Sequence, residues 1–331
     1  MPKELFRALR IGLLVFLGLA VAVGVAVFVG GRPLLLRVFF FFHGTTNPMA
    51  LLDEWTPSAQ RIPYGGDAFE FGELLVPEGQ GKFPVAILLH GGCWSARIGP
   101  MPEAATSLAL LRPLSAALAR SGIASWNVEY RRLGNTGGGW PGTYDDVAAA
   151  ADFLRVLSPE RLDLTRVIAI GHSSGGQLAL WLASRPKLPT NSPLYKDSPL
   201  PIIGVVDIDG PPALEAFAAI DKQVCGDSVV QRFMGGTLNE VASRYREGSA
   251  TDLLPSGVTQ ELLYSTKMEF MSGSEANWAE QFTSYSALAT KAGDSVHVTA
   301  MENAGHFDGV NPQSAAWKNV IRSVESLLSK H

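Results

Sequence analysis

The sequence predicts an α/β fold, with a mostly parallel central sheet flanked by helices. One observation is that short apolar runs alternate with helical patterns through most of the 331 residues. Another is a pentapeptide, residues 171–175, that joins the β-branched run 167–170 to a helical pattern at 176–184. Strands that alternate with helices form βαβ units, because parallel strands need a long crossover connection.

The alternation fixes the expected elements in chain order. We expect strands at residues 69–76, 85–89, 124–130, 167–170, 202–206, 268–271 and 296–301, and helices at 104–120, 144–157, 176–184 and 315–328. The segment 211–265 breaks the alternation. It is either a short, mostly helical insertion that shapes a substrate entrance or a plain surface connection.

The amino terminus carries a different pattern. Residues 11–31 hold no charged side chain and are long enough to cross a bilayer as a helix. We expect an uncleaved anchor at 1–42 with its span at about 11–31, a linker at 43–64, and a catalytic domain at 65–331 that includes the insertion at 211–265. A cleaved signal peptide is the alternative, with its cleavage site near 24–26.

Charges beside the span predict its orientation. Three cations precede it and two follow it, a small excess that favours a cytoplasmic amino terminus. The catalytic domain is then expected on the periplasmic or extracellular side. Four consecutive phenylalanines, residues 39–42, are too few to span and are typical of an interfacial aromatic anchor.

Composition excludes several classes of protein. The formal net charge is −4, so no basic surface for nucleic acid is expected. Cys93 and Cys225 are the only cysteines and form neither a zinc nor a redox motif. We expect two free, partly buried thiols rather than a bridge between them.

The pentapeptide Gly171-His172-Ser173-Ser174-Gly175 is the candidate catalytic centre. A strand that turns sharply into a helix holds its central serine in a strained, exposed position, which suits Ser173 as a nucleophile. Alternatively, Ser173 is a small residue that packs the turn. A serine needs a base, and His306, after the last strand and before the last helix, is the best candidate.

The acid that would orient His306 is less clearly marked. It is expected after the predicted strand 268–271, where Glu275 is the one carboxylate in the loop. The alternatives are Asp207 and Asp209, after the preceding strand, and Asp308, beside the histidine.

An oxyanion hole is expected from the loop 90–94, which reads His-Gly-Gly-Cys-Trp and follows the strand 85–89. Glycines let backbone amides approach a ligand closely. We expect the amides of Gly92, Cys93 and Ser174 to hold the developing negative charge.

Five motifs carry a family resemblance. They are residues 90–94, Tyr-Arg-Arg-Leu-Gly at 130–134, Gly-Gly-Trp-Pro at 138–141 with Asp145 and Asp146, Gly-His-Ser-Ser-Gly-Gly at 171–176, and Gly-His-Phe-Asp at 305–308. Together they resemble the α/β-hydrolase superfamily, in its carboxylesterase and kynurenine-formamidase-like branch. The resemblance covers roughly residues 65–330. It departs from the pattern at Cys93, where the formamidase-like loop often has tyrosine, and at Ala276, where an aspartate is usual.

The resemblance implies a Ser–His–acid esterase or amidase, with Trp94 and Trp140 near the substrate pocket. We expect a membrane-anchored serine hydrolase that cleaves small-molecule carboxylic esters and needs no metal or organic cofactor. An amidase or formamidase of the same mechanism is one alternative. A non-catalytic membrane protein on a hydrolase scaffold is another.

Overall fold

A single eight-stranded sheet forms the centre of the molecule. The computed structural model describes residues 36–37, 39–54, 56–57, 59–99, 101–157, 160–269 and 275–329. The strands are Gln60–Pro63 (β1), Phe71–Leu75 (β2), Phe83–Leu89 (β3), Ala124–Val128 (β4), Leu162–His172 (β5), Gly204–Ile208 (β6), Thr259–Ser265 (β7) and Val296–Met301 (β8). Their spatial order is β1-β2-β4-β3-β5-β6-β7-β8. The pairs β1–β2 and β2–β4 are antiparallel, and all the other pairs are parallel. The predicted α/β fold with a mostly parallel sheet is confirmed.

Helices cover both faces of this sheet. They are Pro48–Asp53 (α1), Arg112–Arg120 (α2), Gly142–Phe153 (α3), Ser174–Ser184 (α4), Leu214–Phe217 (α5), Asp221–Cys225 (α6), Val229–Met234 (α7), Ala242–Gly248 (α8), Ala250–Leu253 (α9), Glu275–Lys291 (α10) and Trp317–Ser329 (α11). In β3, Val85, Ile87 and Leu89 pack in the core shared with α3, α4 and α10. Ala86 and Leu88 pack in the core shared with α2 and α11. A strand buried on both faces reads as a continuous apolar run, which is why β3 is evident in the sequence.

The seventh strand differs from its prediction. The expected strand at 268–271 is wrong, because β7 is Thr259–Ser265 and pairs with β6 and β8. The predicted insertion therefore ends earlier than 265. The connection from β6 to β7 carries the five short helices α5 to α9.

The helix predicted at 104–120 is only partly right. Its second half is α2, whereas Glu103–Thr106 and Leu108–Leu111 are short 3₁₀ helices. Ser107, between them, is extended, and its side chain caps the second one by accepting a hydrogen bond from the amide of Ala109. Such a residue favours a helix start over a helix interior.

The segment predicted as a linker, residues 43–64, packs against the catalytic domain. It contains α1 and the edge strand β1, and Met49 and Leu51 are buried. Just before it, Phe40 is buried in the core beside α2 and α11. No helix within the described residues is long and apolar enough to cross a membrane. The predicted span at 11–31 lies outside them.

Cys93 and Cys225 form a disulfide bridge, so the expectation of two free thiols is wrong. The connection between β6 and β7 folds back over the loop that follows β3. This brings the two Cα atoms, 132 residues apart in sequence, to 6.1 Å, which is within the range of a disulfide. Sequence separation alone gave no indication of this approach.

Candidate active site

Ser173 occupies the sharp turn predicted between a strand and a helix. It lies between β5 and α4 with φ 55° and ψ −128°, a conformation that is strained for a residue with a Cβ. Its amide donates to the carbonyl of Ile208 at the end of β6, at 2.8 Å. The turn is thereby tied to the neighbouring strand, and Ser173 stands at the carboxyl edge of the sheet.

Two glycines make this turn possible. A Cβ added to Gly171 would lie 2.0 Å from the carbonyl oxygen of Gly175. One added to Gly175 would lie 2.1 Å from the carbonyl oxygen of Leu89. Both contacts are with backbone, which cannot move aside without disturbing the sheet. The spacing of glycines around Ser173 is therefore a steric requirement of the strand-to-helix turn.

The loop 90–94 lies beside the serine, as the sequence predicts for an oxyanion hole. Gly92, Cys93 and Trp94 have φ of 118°, 51° and 50°, three successive residues in the left-handed region. A Cβ on Gly91 would come within 2.8 Å of the Cβ of Ser173, so the loop closely approaches the nucleophile. Ser174, the first residue of α4, has an amide with no acceptor within its own helix.

A buried polar network supports this loop from below. The two ring nitrogens of His90 lie 2.7 Å from the carbonyl oxygen of Gly91 and 3.1 Å from Oε1 of Glu129. Arg132 lies 3.4 Å from the same carboxylate, and all three side chains are buried. Burial alone would raise the pKa of Glu129, but His90 and Arg132 lower it below its usual value. His90, the histidine of the H-G-G motif, thus supports the loop and is not placed to attack a substrate.

His306 is the candidate base. It follows β8, is nearly buried, and lines the same cavity as Ser173. Burial holds the pKa of His306 well below its usual value, and the neighbouring His172 lowers it further. The two rings lie 4.6 Å apart, and burial lowers the pKa of His172 to about 4. His306 is therefore neutral at pH 7 and able to accept a proton.

Glu269 is the carboxylate that the structure brings to His306, and the sequence analysis missed it. Its Oε2 accepts the backbone amide of His306 at 3.1 Å. Its Oε1 and Nδ1 of His306 are both buried and have no hydrogen-bond partner among the described residues. Once β7 is placed at Thr259–Ser265, Glu269 becomes the first carboxylate after the strand. The correct strand was therefore the signal that could have identified it.

Three of the other acid candidates accept hydrogen bonds from residues other than His306. Asp209 accepts from the amide and hydroxyl of Ser265, both at 2.6 Å. Asp308 accepts from the amide of Gly305 and from Thr46, and Asp207 accepts from the amide of Gly210. Glu275 is the first residue of α10, and its role as the acid stays a prediction.

A cavity of about 450 Å³ opens in front of Ser173 and His306. These two residues line it together with Gly92 and Cys93. The walls come from segments far apart in sequence and are mainly apolar. They include Leu36, Ile98, Met101, Leu110, Val224, Val229 and Phe307.

The two predicted substrate-binding tryptophans occupy different places. Trp94 is buried near Ser173 and stacks on Phe233, with ring centroids 5.0 Å apart. Its indole nitrogen donates to Gln177 of α4 at 3.2 Å, so it fixes the loop to the helix. Trp140 packs edge-on against Tyr144 and does not line the cavity. The structure therefore brings Trp94 to the site and leaves Trp140 outside the cavity wall.

Comparison with known proteins agrees with the fold and the motifs. The model of the BD-FAE family matches residues 73–255, more than half of the chain. The chain belongs to this family, which is an α/β-hydrolase family. The predicted α/β-hydrolase, carboxylesterase-like resemblance is confirmed. No curated protein sequence matches the chain.

Solved structures show the same fold at low sequence identity. A carbohydrate esterase from gut microbiota, in truncated form, aligns with a TM-score of 0.63 at 16% identity, over 83% of this chain and 96% of its own. Esterase B from Lactobacillus rhamnosis gives 0.67 at 15% identity, over 86% and 91%. The propionate-bound thermophilic esterase Est2 from Thermogutta terrifontis gives 0.61 at 17% identity, over 84% and 96%.

Proposed function

We propose that this protein hydrolyses carboxylic esters through a serine nucleophile. The observation that carries the proposal is the strained turn at Ser173, which opens on the same cavity as His306 and the loop 90–94. Family membership and the named esterases of the same fold support it. All the chemistry that ester hydrolysis needs is supplied by these side chains and amides.

In the proposed mechanism His306 takes the proton of Ser173 as the hydroxyl attacks the ester carbonyl. The amides of Gly92, Cys93 and Ser174 stabilise the oxyanion. His306 then gives its proton to the departing alcohol, which leaves an acyl-serine. A water molecule, deprotonated by His306, then attacks this acyl-serine, and His306 returns the proton to Ser173 Oγ as the acid is released.

We assign the orienting acid to Glu269. A hydrogen bond between Oε1 of Glu269 and Nδ1 of His306 would satisfy both of these buried atoms, which have no other partner among the described residues. Glu269→Gln should lower kcat by about 10³–10⁴, because an amide cannot hold the imidazole and stabilise its cation equally well. Steady-state kinetics on a soluble ester measures this change.

Two matched variants accompany this measurement. Glu280→Gln removes an exposed carboxylate from α10 and should leave kcat unchanged. Glu275→Gln tests the acid predicted from the sequence. A large loss of kcat in Glu275→Gln, with Glu269→Gln active, would show that the assignment to Glu269 is wrong.

The proposed function itself is tested by labelling the purified protein with a fluorophosphonate probe. The wild-type protein should react and Ser173→Ala should not, since only an activated serine attacks the phosphorus. A folded wild-type protein that fails to react would contradict ester hydrolysis and favour a non-catalytic role on this scaffold.

We further propose that residues 11–31 anchor the protein in a membrane and that the catalytic domain lies on the periplasmic or extracellular side. The uncharged length of that segment supports the anchor. The Cys93–Cys225 bridge supports the location, because disulfides persist mainly outside reducing compartments.

A further inference from the structure

The segment that follows the apolar stretch 11–31 contributes to the wall of the catalytic cavity. Leu36 lines the same cavity as Ser173 and His306. Residues 39–43 are helical, and the ring of Phe40 lies 5.8 Å from that of Phe307, the residue after His306. The segment is therefore held against the catalytic histidine loop by a buried side chain.

Two side chains of this segment point away from the protein. Phe41 and Phe42 are 80% and 78% exposed, the highest values among the large exposed apolar side chains of the described residues. Their rings lie 5.8 Å apart. We call Leu36, Phe41 and Phe42 the apolar rim. Adjacent exposed phenylalanines are unfavourable in water and favourable at a bilayer surface, where their rings leave water.

The short connection between residue 31 and Leu36 keeps this rim close to any membrane that residues 11–31 cross. Five residue steps separate residue 31, the end of the uncharged stretch, from Leu36. Even fully extended, they reach at most about 18 Å. If residues 11–31 cross a bilayer, the rim and the cavity entrance lie at its surface. A soluble partner protein would not explain why the rim follows a stretch long enough to span.

We propose that the cavity opens toward the bilayer and that its substrate is an ester lipid drawn from the membrane. This proposal rests on the proposed ester hydrolysis. The apolar walls, including Ile98, Met101 and Val224, suit an acyl chain that leaves the bilayer past the rim. Ser173 then takes the acyl group, the alcohol part of the lipid leaves with the proton, and water releases the fatty acid.

The test uses the full-length protein in phosphatidylcholine vesicles that contain diacylglycerol as the ester lipid. The variant Phe41→Ser/Phe42→Ser should lower diacylglycerol hydrolysis at least tenfold and leave hydrolysis of p-nitrophenyl acetate unchanged. Val156→Ser is the matched control. Val156 is 71% exposed but precedes β5, at the opposite edge of the sheet from Ser173, so both rates should be unchanged.

A second measurement detects contact between the rim and the bilayer without depending on enzyme activity. Phe41→Trp should be quenched by brominated phosphatidylcholine well beyond the wild-type signal, and Val156→Trp should not. If the rim binds a second copy of the chain, crosslinking will detect a dimer and the added tryptophan will not be quenched. That result would overturn the proposal.

The activity outcomes separate the two proposals. Hydrolysis of p-nitrophenyl acetate without hydrolysis of diacylglycerol, or equal diacylglycerol rates in the wild type and the double variant, would overturn the lipid substrate and leave ester hydrolysis standing. Absence of both activities, together with no fluorophosphonate labelling at Ser173, would overturn both.

Discussion

Asp209 and Glu269 are two carboxylates near His306 that differ in burial and in hydrogen bonding. Asp209 is fully buried beside Trp278, and burial raises its pKa to about 7 even though Ser265 and Trp278 donate hydrogen bonds to it. Glu269 lies against the backbone of His306 and keeps one oxygen without a partner. At the residue scale, the site thus has one acid fixed by hydrogen bonds and another available to pair with the imidazole.

The raised pKa of Asp209 makes stability depend on pH. Between about pH 4 and 7 the unfolded chain loses this proton and the folded protein keeps it, so the free energy of unfolding falls as pH rises. The loss is at most about 4 kcal/mol for a shift of this size. Asp209→Asn, which cannot ionise, should show a smaller fall. Urea unfolding at pH 4.5, 6 and 8 measures the difference.

The same variant checks the assignment of the acid. Asp209→Asn should still react with fluorophosphonate, because the amide can keep the contacts with Ser265. Unchanged pH dependence would show that Asp209 is ionised in the folded protein. Loss of labelling in a folded variant would make Asp209, rather than Glu269, the acid of the site.

At the scale of elements, the bridge between Cys93 and Cys225 joins two parts of the site. Cys93 belongs to the loop that supplies the proposed oxyanion donors, and Cys225 ends α6, which forms part of the cavity wall. Cys93 also has positive φ, which the surrounding contacts must maintain. One covalent bond thus fixes both the amide donors and the adjacent wall.

Removing this bridge should weaken both stability and turnover. Cys225→Ser should lower the free energy of unfolding by about 2–5 kcal/mol, because a 132-residue separation closes a large loop. It should also lower kcat more than it raises KM, since oxyanion contacts form mainly in the transition state. Treatment with dithiothreitol should reproduce the effect in the wild type and add nothing in the Cys93→Ser/Cys225→Ser variant. Equal kcat before and after complete reduction would contradict this role.

A strand can be predicted when its own apolar run specifies it, and not when tertiary contacts do. β3 and β5 are buried on both faces, so their apolar runs are visible in the sequence. β7 carries Gln260 and Glu261, and these polar residues obscure it. Gln260 is accommodated because it bonds Tyr285 and Asp294, contacts that no local pattern reveals. Because the strand was expected at 268–271, the acid was sought after residue 271, and Glu269 was not among the candidates.

At the scale of the whole molecule, the sheet gathers residues that are distant in sequence. The parallel strands β3, β5 and β8 end at one edge, and the loops after them carry residues 90–94, Ser173 and His306. The order of these motifs was sufficient to predict the fold, and it indicated Ser173 and His306 as candidate catalytic residues. The cavity walls include residues of the insertion and Leu36, whose positions depend on tertiary packing that the sequence does not specify.

The proposed membrane arrangement is tested on the whole chain by the location of its carboxyl terminus. With the amino terminus in the cytoplasm, a carboxyl-terminal alkaline phosphatase fusion should be active, and a matching fusion of green fluorescent protein exported by the same route should be dark. The positive-inside asymmetry and the disulfide both favour this result. Replacing Arg32 and Arg37 with glutamine should leave the orientation unchanged, because it increases the asymmetry. A bright fluorescent fusion with an inactive phosphatase fusion would place the domain in the cytoplasm and contradict the proposed topology.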